Sequence, residues 1–372
     1  MRSNWLEFSM RRRVAEPLRV LVAGWLNSPH VTAWVEAVKA AGHDVHLAGR
    51  DAPQFPASVS NEKAHRLPAD APPLVRGLRM SRALARVAAD VSPDLVHAHF
   101  LTEFGWMAAR EGLRPLISSA WGSDVFGVRG LSLRRSRRAL EGSQLAFADS
   151  EHLARAARDL ANVRVEIVRW GLDLDTYAPG DTTAAREALG VNHDGALVAS
   201  VRGLDPLYNP VLLLEAFARV RRRRPSARLL LKNQKQHVTT KTKRAIERLG
   251  LRGAVMILGN VPAERMPNVY RAADVVVSIP SSDSSPRSVW EALACGRPVV
   301  VSDLPWAREE LVDGSQALLT ELEPLAVAEA IERAFDEERL GAEGRRLAEI
   351  ELNPAIWSTR IDALYRSVVE SR

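Results

Sequence analysis

Serines, prolines and the carboxylates Asp283 and Glu291 crowd the middle of the stretch Asp274–Asp303, DVVVSIPSSDSSPRSVWEALACGRPVVVSD. Val275, Val276, Val277 and Ile279 form an apolar run ending at Pro280, as a strand buried on both faces does. The polar loop Ser281–Ser285 follows. Pro286 suits the first turn of a helix, where its missing N–H costs nothing. A helix over Arg287–Ala294 stops at Cys295-Gly296, and a second strand opens at Pro298–Val301. A serine-rich loop is thus delivered to a helix N-terminus, where free backbone N–H groups and the positive dipole end favour an anion. Glu291, one turn into that helix, reaches hydroxyls of whatever anion-bearing molecule docks there.

The rest of the chain supplies the elements that must position this site. Arg19–Gly24 is an apolar strand, followed by the loop WLNSPH, a helix from about Val31 to Ala41 and a strand at Val45–Ala48. That unit opens a doubly wound α/β domain. No G-x-G-x-x-G follows the first strand, so a dinucleotide site of the usual kind is not expected. Ser28-Pro29-His30 instead precedes a helix and faces a cleft at the carboxyl end of the sheet. Further strands are expected at Asp94–Phe100, Pro115–Ala120 and Leu145–Asp149, with Asp51–Pro73 reading as loop. A second sheet starts at Ala196–Val201, and helix-forming segments alone are expected after Asp303. His97 and His99 share a face by period-two alternation, but no third ligand lies near them, so no metal is expected.

Asp283, seven intervening residues and Glu291, followed by EALACGRPVVVSDLP, resembles the E-x-x-x-x-x-x-x-E signature of glycosyltransferase family 4. The resemblance runs from about Leu18 to Val369. It implies two Rossmann-like domains with parallel sheets facing across a cleft (GT-B), namely residues 1–182 on the acceptor side and 183–352 on the donor side, with 353–372 forming a helix that crosses back to the first domain. It also implies that Asp283, one methylene shorter than the usual glutamate, contacts the donor sugar, and that Glu291 grips the ribose. Arg202 matches the arginine that neutralises the donor diphosphate, while Tyr208 occupies the place of its partner lysine; Lys232 or Lys235 is the expected replacement. Ser284, Ser285, Pro286, Arg287 and Ser288 would hold the diphosphate, and the loop at Asn260 and Val261 would cover the base. On the acceptor side the resemblance places Ser28, His99, Trp121 and Asp124. Trp121 stands where relatives carry histidine, so stacking or shaping is its expected role, and a helix N-cap is an equally good reading of Asp124. Trp170 likewise replaces an asparagine in the interdomain stretch.

Composition bounds the remaining possibilities. The 372 residues suggest about two domains, and no apolar run approaches the ~20 residues of a membrane span. Met1–Arg13 has no apolar core, so a cytoplasmic protein is expected. A single cysteine, Cys295, precludes an internal disulfide and reads as a buried, inert thiol. The net charge of +6 is concentrated at Arg11–Arg13, Arg134–Arg138 and Arg221–Arg224, which suits an anionic membrane surface as well as solvated helix faces. Aromatics are not interleaved with these arginines, so nucleic acid is not an expected partner.

The reading that follows is a metal-independent, retaining glycosyltransferase. A nucleotide sugar is the donor and co-substrate, a saccharide, lipid-linked or small molecule the acceptor, and no other cofactor is expected. Two competitors stand beside it: a non-catalytic sugar-nucleotide binder, favoured by the replacements at Trp121, Tyr208 and Asp283, and an epimerase on the same twin-domain fold. The histidines of VHAHF are the only hint of the acid–base pair that an epimerase needs.

Overall fold

The computed structural model describes residues 16–50, 59–70, 72–169, 171–191, 193–233 and 239–371. Among the described residues, thirteen strands fall into two sheets. The first holds β1 (Arg19–Trp25), β2 (Asp44–Arg50), β3 (Ala64–Arg66), β4 (Leu95–His99), β5 (Leu116–Ser119), β6 (Leu145–Ala148) and β7 (Val165–Ile167), in the order β3-β2-β1-β4-β5-β6-β7. The second holds β8 (Leu197–Ser200), β9 (Arg228–Lys232), β10 (Val255–Leu258), β11 (Val275–Ser278), β12 (Val299–Ser302) and β13 (Leu318–Thr320), in the order β10-β9-β8-β11-β12-β13. Every pairing within both sheets is parallel.

Parallel strands need crossover helices on both faces, and the strands are accordingly apolar on both sides. Val20 and Val22 pack with Trp34, Val35 and Ile361 beneath one face of the first sheet, and Leu21 and Ala23 pack with Met80, Leu84 and Phe104 beneath the other. In both sheets the order reverses beside the first strand, between β1 and β4 and between β8 and β11. Ligands of open α/β sheets bind in the crevice at such a reversal, outside the carboxyl ends of the strands. The loops following β1, β8 and β11 accordingly line one common cleft.

The terminal helix Pro354–Glu370 packs Trp357, Ile361, Leu364, Tyr365 and Val368 into the core of the first sheet. The chain thus passes between the two sheets twice. Where the passages meet, a Cβ on Gly171 would lie 2.7 Å from the Cα of Pro354, so only glycine fits there. Beside this crossing Arg169 joins Glu310, at 2.6 Å, and Glu351.

Three expectations about the elements need correction. The segment before Pro73 contains the edge strand β3, and the region after Asp303 contains the edge strand β13. Each is three residues long, too short for alternation to register in the sequence. Phe100 does not extend β4; with φ of 72° it turns into a wide helical loop over Phe100–Gly105. Arg11–Arg13, Trp170 and Lys235 lie outside the described residues.

Candidate active site

The wall contributed by the second sheet carries the charges. Arg202, just past β8, donates from Nη2 to Asp283 Oδ2 at 2.7 Å and from Nη1 to Ser288 Oγ at 3.1 Å. Its guanidinium lies 4.6 Å from the ring centroid of Tyr208, so the residue in the expected lysine position offers a π-face rather than a charge. Burial pushes the Asp283 carboxyl up, against the opposing pull of Arg202 and the Ser284 N–H. One turn into the helix Arg287–Ala294, both oxygens of Glu291 are occupied: Oε2 accepts from the Tyr270 hydroxyl at 2.6 Å and Oε1 from Arg287 Nε at 2.7 Å. Lys232, at the carboxyl end of β9, is 8% exposed and lines the same cleft. Burial lowers its pKa, and the neighbouring Glu291 works against that shift. Asn260 and Val261, beyond β10, complete this wall.

The opposite wall is aromatic. Ser28, His30, Trp34, Trp121, Phe126 and Phe147 line it. Trp121 rests edge-on against Trp25, with ring centroids 5.5 Å apart, and lies 5.0 Å from His30. The His30 imidazole is pulled down to about 3, first by burial and then by the positive charges of Arg287 and Arg202, so it is neutral at pH 7. The cleft between the two walls has a volume of about 1030 Å³, enough for a ligand larger than the usual drug-sized molecule.

A hydrogen bond joins the walls directly. Ser284 Oγ donates to Asp149 Oδ2 at 2.8 Å, beside Gly122, whose φ of 88° and closeness to Ser284 leave little room for a side chain. Burial, with the Glu310 and Asp283 carboxylates nearby, pushes Asp149 up to about 8. Ser285 is also committed: its hydroxyl donates to Glu310 and accepts from Trp290 Nε1.

The structure brings most of the residues read from sequence into this cleft: Arg202, Lys232, Asn260, Val261, Asp283 through Ser288, Glu291, Ser28 and Trp121. Two acceptor-side assignments fail. His99 is fully buried and does not line the cleft; it lies behind Trp34 and Trp121. Alternation along β4 places its side chain on a face but says nothing of depth. Asp124 is fully buried too, and its oxygens accept from the backbone N–H groups of Leu101 and Trp121. It fastens the loop beneath Trp121 and does not cap a helix. Burial raises its pKa to about 6, with those N–H donors opposing. His97 shares hydrogen bonds with Tyr365 and Ser119, so neither histidine of VHAHF is placed as an acid or base for a ligand. Among the described residues no group of three or more His, Cys, Asp or Glu could hold a metal. Cys295 is buried, and burial pushes its thiol up to about 12.

Asp149 and Tyr270 line the cleft and were not anticipated as site residues. Asp149 had a usable signal, a carboxylate at the carboxyl end of the buried strand LAFA, where open α/β sheets place ligand contacts. Tyr270 had none, because it sits in an ordinary helical apolar pattern.

Comparison with known proteins agrees with this geometry. A family model described as glycosyl transferase 4-like matches residues 19–150, and one described as glycosyl transferases group 1 matches residues 181–349. A D-inositol 3-phosphate glycosyltransferase of Geodermatophilus obscurus is 31% identical over 298 residues, covering 73% of this chain and 65% of the relative. The protein of the same name from Segniliparus rotundus is 31% identical over 245 residues, covering 59% and 54%. The chain therefore spans between about half and two thirds of these relatives' length. In fold, a sucrose-phosphate synthase from Thermosynechococcus elongatus superposes with a TM-score of 0.81 at 20% identity, over 95% of this chain and all of that one. Anabaena HepE in complex with UDP-glucose gives 0.78 at 19% identity, over 94% of this chain and all of that one. With both halves matched by family models and both sheets arranged as in those structures, the chain belongs to glycosyltransferase family 4.

Proposed function

We propose that the protein transfers a glycosyl group from a nucleotide-sugar donor to an acceptor, with retention of anomeric configuration and without a metal. The observation that carries this reading is the placement of Arg202 between Asp283 and Ser288 at the N-terminus of the helix that presents Glu291. Departure of a nucleoside diphosphate develops negative charge, and fixed donors aimed at that charge lower the barrier. Arg202, Lys232 and the helix N-terminus supply them on one wall. The sugar lies between Asp283 and the aromatic wall, where the acceptor enters. The epimerase reading loses its acid–base pair with the burial of His97 and His99.

The test begins with thermal shift across nucleotide sugars, since a ligand far above its Kd adds a few kcal/mol of stability. The stabilising donor is then incubated with an acceptor panel that includes inositol 3-phosphate, for which the relatives above are named, and simple saccharides. Acceptor-dependent release of nucleoside diphosphate, with the product's anomeric configuration read by NMR, is the expected outcome. Binding of a donor without turnover on any acceptor would favour the non-catalytic reading.

We also propose that this enzyme works at the inner, cytoplasmic face of a membrane without crossing it. No helix among the described residues is long and apolar enough to span one. On the helix Gly130–Gly142, Arg134, Arg137 and Arg138 are exposed, Leu131 is 62% exposed, and Arg135 lies 4.4 Å from the Trp106 ring. Anionic lipid attracts each nearby arginine by ~1 kcal/mol. Sedimentation with anionic vesicles should be strong at low salt and fade at high salt; equal capture by neutral vesicles would show these arginines to be a solvated face.

A further inference from the structure

Arg287 breaks the local rules of the helix that it begins. It is the first residue of Arg287–Ala294, so its charge sits at the end where the dipole favours anions. Its ion pair with Glu291 runs arginine to glutamate at i,i+4, the less favourable of the two orders. The same cleft already holds Arg202 and Lys232. Departures from local preference collect where function requires them.

The side chain's contacts say what that requirement is. Glu291 Oε1 accepts from Nε at 2.7 Å and so fixes the plane of the guanidinium. Nη1 is buried and has no hydrogen-bond partner among the described residues. A buried donor without an acceptor is costly, more so when charged, and calls for an explanation. Arg287 and His30 line the same cleft, and the charge of Arg287 lowers the His30 pKa more than that of Arg202 does. Arg287 therefore stands at the lining of the cleft, with an Nη1 that is covered from solvent and that the described residues leave without an acceptor. Tyr208, in the position where a second cation is expected, gives only its ring to Arg202.

We propose that Arg287 is a further cation for the donor, beside Arg202 and Lys232: its Nη1 edge takes an oxyanion of the bound nucleotide sugar, while Glu291 acts as the clamp that aims it. This rests on the reading that the cleft takes a nucleotide sugar. The oxyanion comes either from the diphosphate or from a carboxylate on the sugar, and binding measurements separate the two.

The nucleoside diphosphate is chosen among UDP, ADP and GDP by thermal shift on the wild-type protein. That diphosphate, its monophosphate and its nucleoside are then titrated calorimetrically into wild type, Arg287→Gln and Arg287→Lys. With a diphosphate contact, Arg287→Gln loses about tenfold to a hundredfold in diphosphate affinity, the scale of one charged hydrogen bond. Nucleoside affinity stays put, and Arg287→Lys recovers part of the loss. With a sugar carboxylate, diphosphate affinity is unchanged and the loss appears only for a glucuronate donor against its glucose counterpart. A fall in nucleoside affinity equal to the fall in diphosphate affinity would mean that Arg287 merely holds Glu291 in place, and no loss in any arm would mean a salt bridge and nothing more; either overturns the proposal. Should the wild type bind none of the diphosphates or their sugars, the nucleotide-sugar reading itself falls, whatever Arg287 does.

Discussion

At the scale of single residues, the function proposed above makes the pair Arg202–Asp283 the place where a donor diphosphate is met. Both side chains are mostly enclosed, 15% and 17% exposed, and each is the other's charge partner. A diphosphate must therefore share or displace Asp283 at Arg202. Arg202→Ala should lower kcat/KM on the order of a hundredfold, the effect of removing one preorganised charge stabiliser. Asp283→Asn should behave differently: with its internal counter-ion gone, Arg202 holds free diphosphate as well as before or better, while kcat falls because the sugar loses an anionic contact that strengthens as the sugar becomes cation-like. Calorimetry with the diphosphate beside steady-state turnover decides the matter. Equal losses of affinity in Arg202→Ala and Asp283→Asn would refute this division of labour. Both residues were legible in the sequence through the family resemblance, Asp283 by the seven residues between it and Glu291 and Arg202 by its place after the strand that opens the second sheet. The role of Asp149 is hidden in the sequence by the Ser150 after it, which has an obvious local purpose in capping the helix Glu151–Leu160. The true depth of His99 and Asp124 depends on neighbours distant in sequence, which spacing cannot reveal.

At the scale of elements, the chain's last helix completes the first domain's core. Ile361 is fully buried there, and the Tyr365 hydroxyl lies 2.6 Å from His97 Nδ1. Ile361→Ala should cost about 2–5 kcal/mol, seen as a lower urea midpoint for probes placed in the first sheet; a loss confined to the second sheet would contradict this packing. The apolar spacing of the helix was readable, but the identity of the surface that it covers came from family resemblance. The loop after β11 makes a second connection, through Ser284 to Asp149. Asp149 is faced by Ser150, Ser284, Asp283 and Glu310. Its folded-state pKa of about 8 lies above that of an unfolded aspartate, near 4. Between those values the folded chain binds the extra proton, so this group's contribution to stability falls as pH rises from about 4 to about 8 and levels off above. Melting temperatures from about pH 5 to about pH 8.5 should therefore decline less steeply in Asp149→Asn than in the wild type. Parallel curves would show that Asp149 keeps an ordinary pKa.

At the scale of the whole molecule, the two sheets have divided the chemistry of the cleft between them. Arg202, Lys232 and Arg287 are the cations among its described lining residues, and all three belong to the half built on β8–β13. The half built on β1–β7 offers Trp34, Trp121, Phe126 and Phe147, a neutral His30 and the carboxyl of Asp149. A polyanionic donor and a ring-shaped acceptor without charge suit the two walls respectively. Trp121 is held by Trp25, His30 and Phe100, so it meets the apolar face of a sugar ring with little loss of side-chain freedom, and covering that face contributes about 25 cal/mol per Å² of apolar surface. Trp121→Ala should then raise the acceptor KM several-fold to about tenfold and leave diphosphate affinity alone, with Trp121→Phe intermediate. In the same assay, a saccharide should be a better acceptor than the same saccharide bearing a phosphate, because at saturating donor Arg202 and Arg287 are taken up by the diphosphate and this wall adds only Asp149 and an apolar surface. Initial rates over a range of acceptor concentrations, at fixed saturating donor, measure both effects. A wild-type preference for the phosphorylated acceptor would show that a cation reaches this wall from elsewhere in the chain, and an unchanged KM in Trp121→Ala would remove the ring from the acceptor's path.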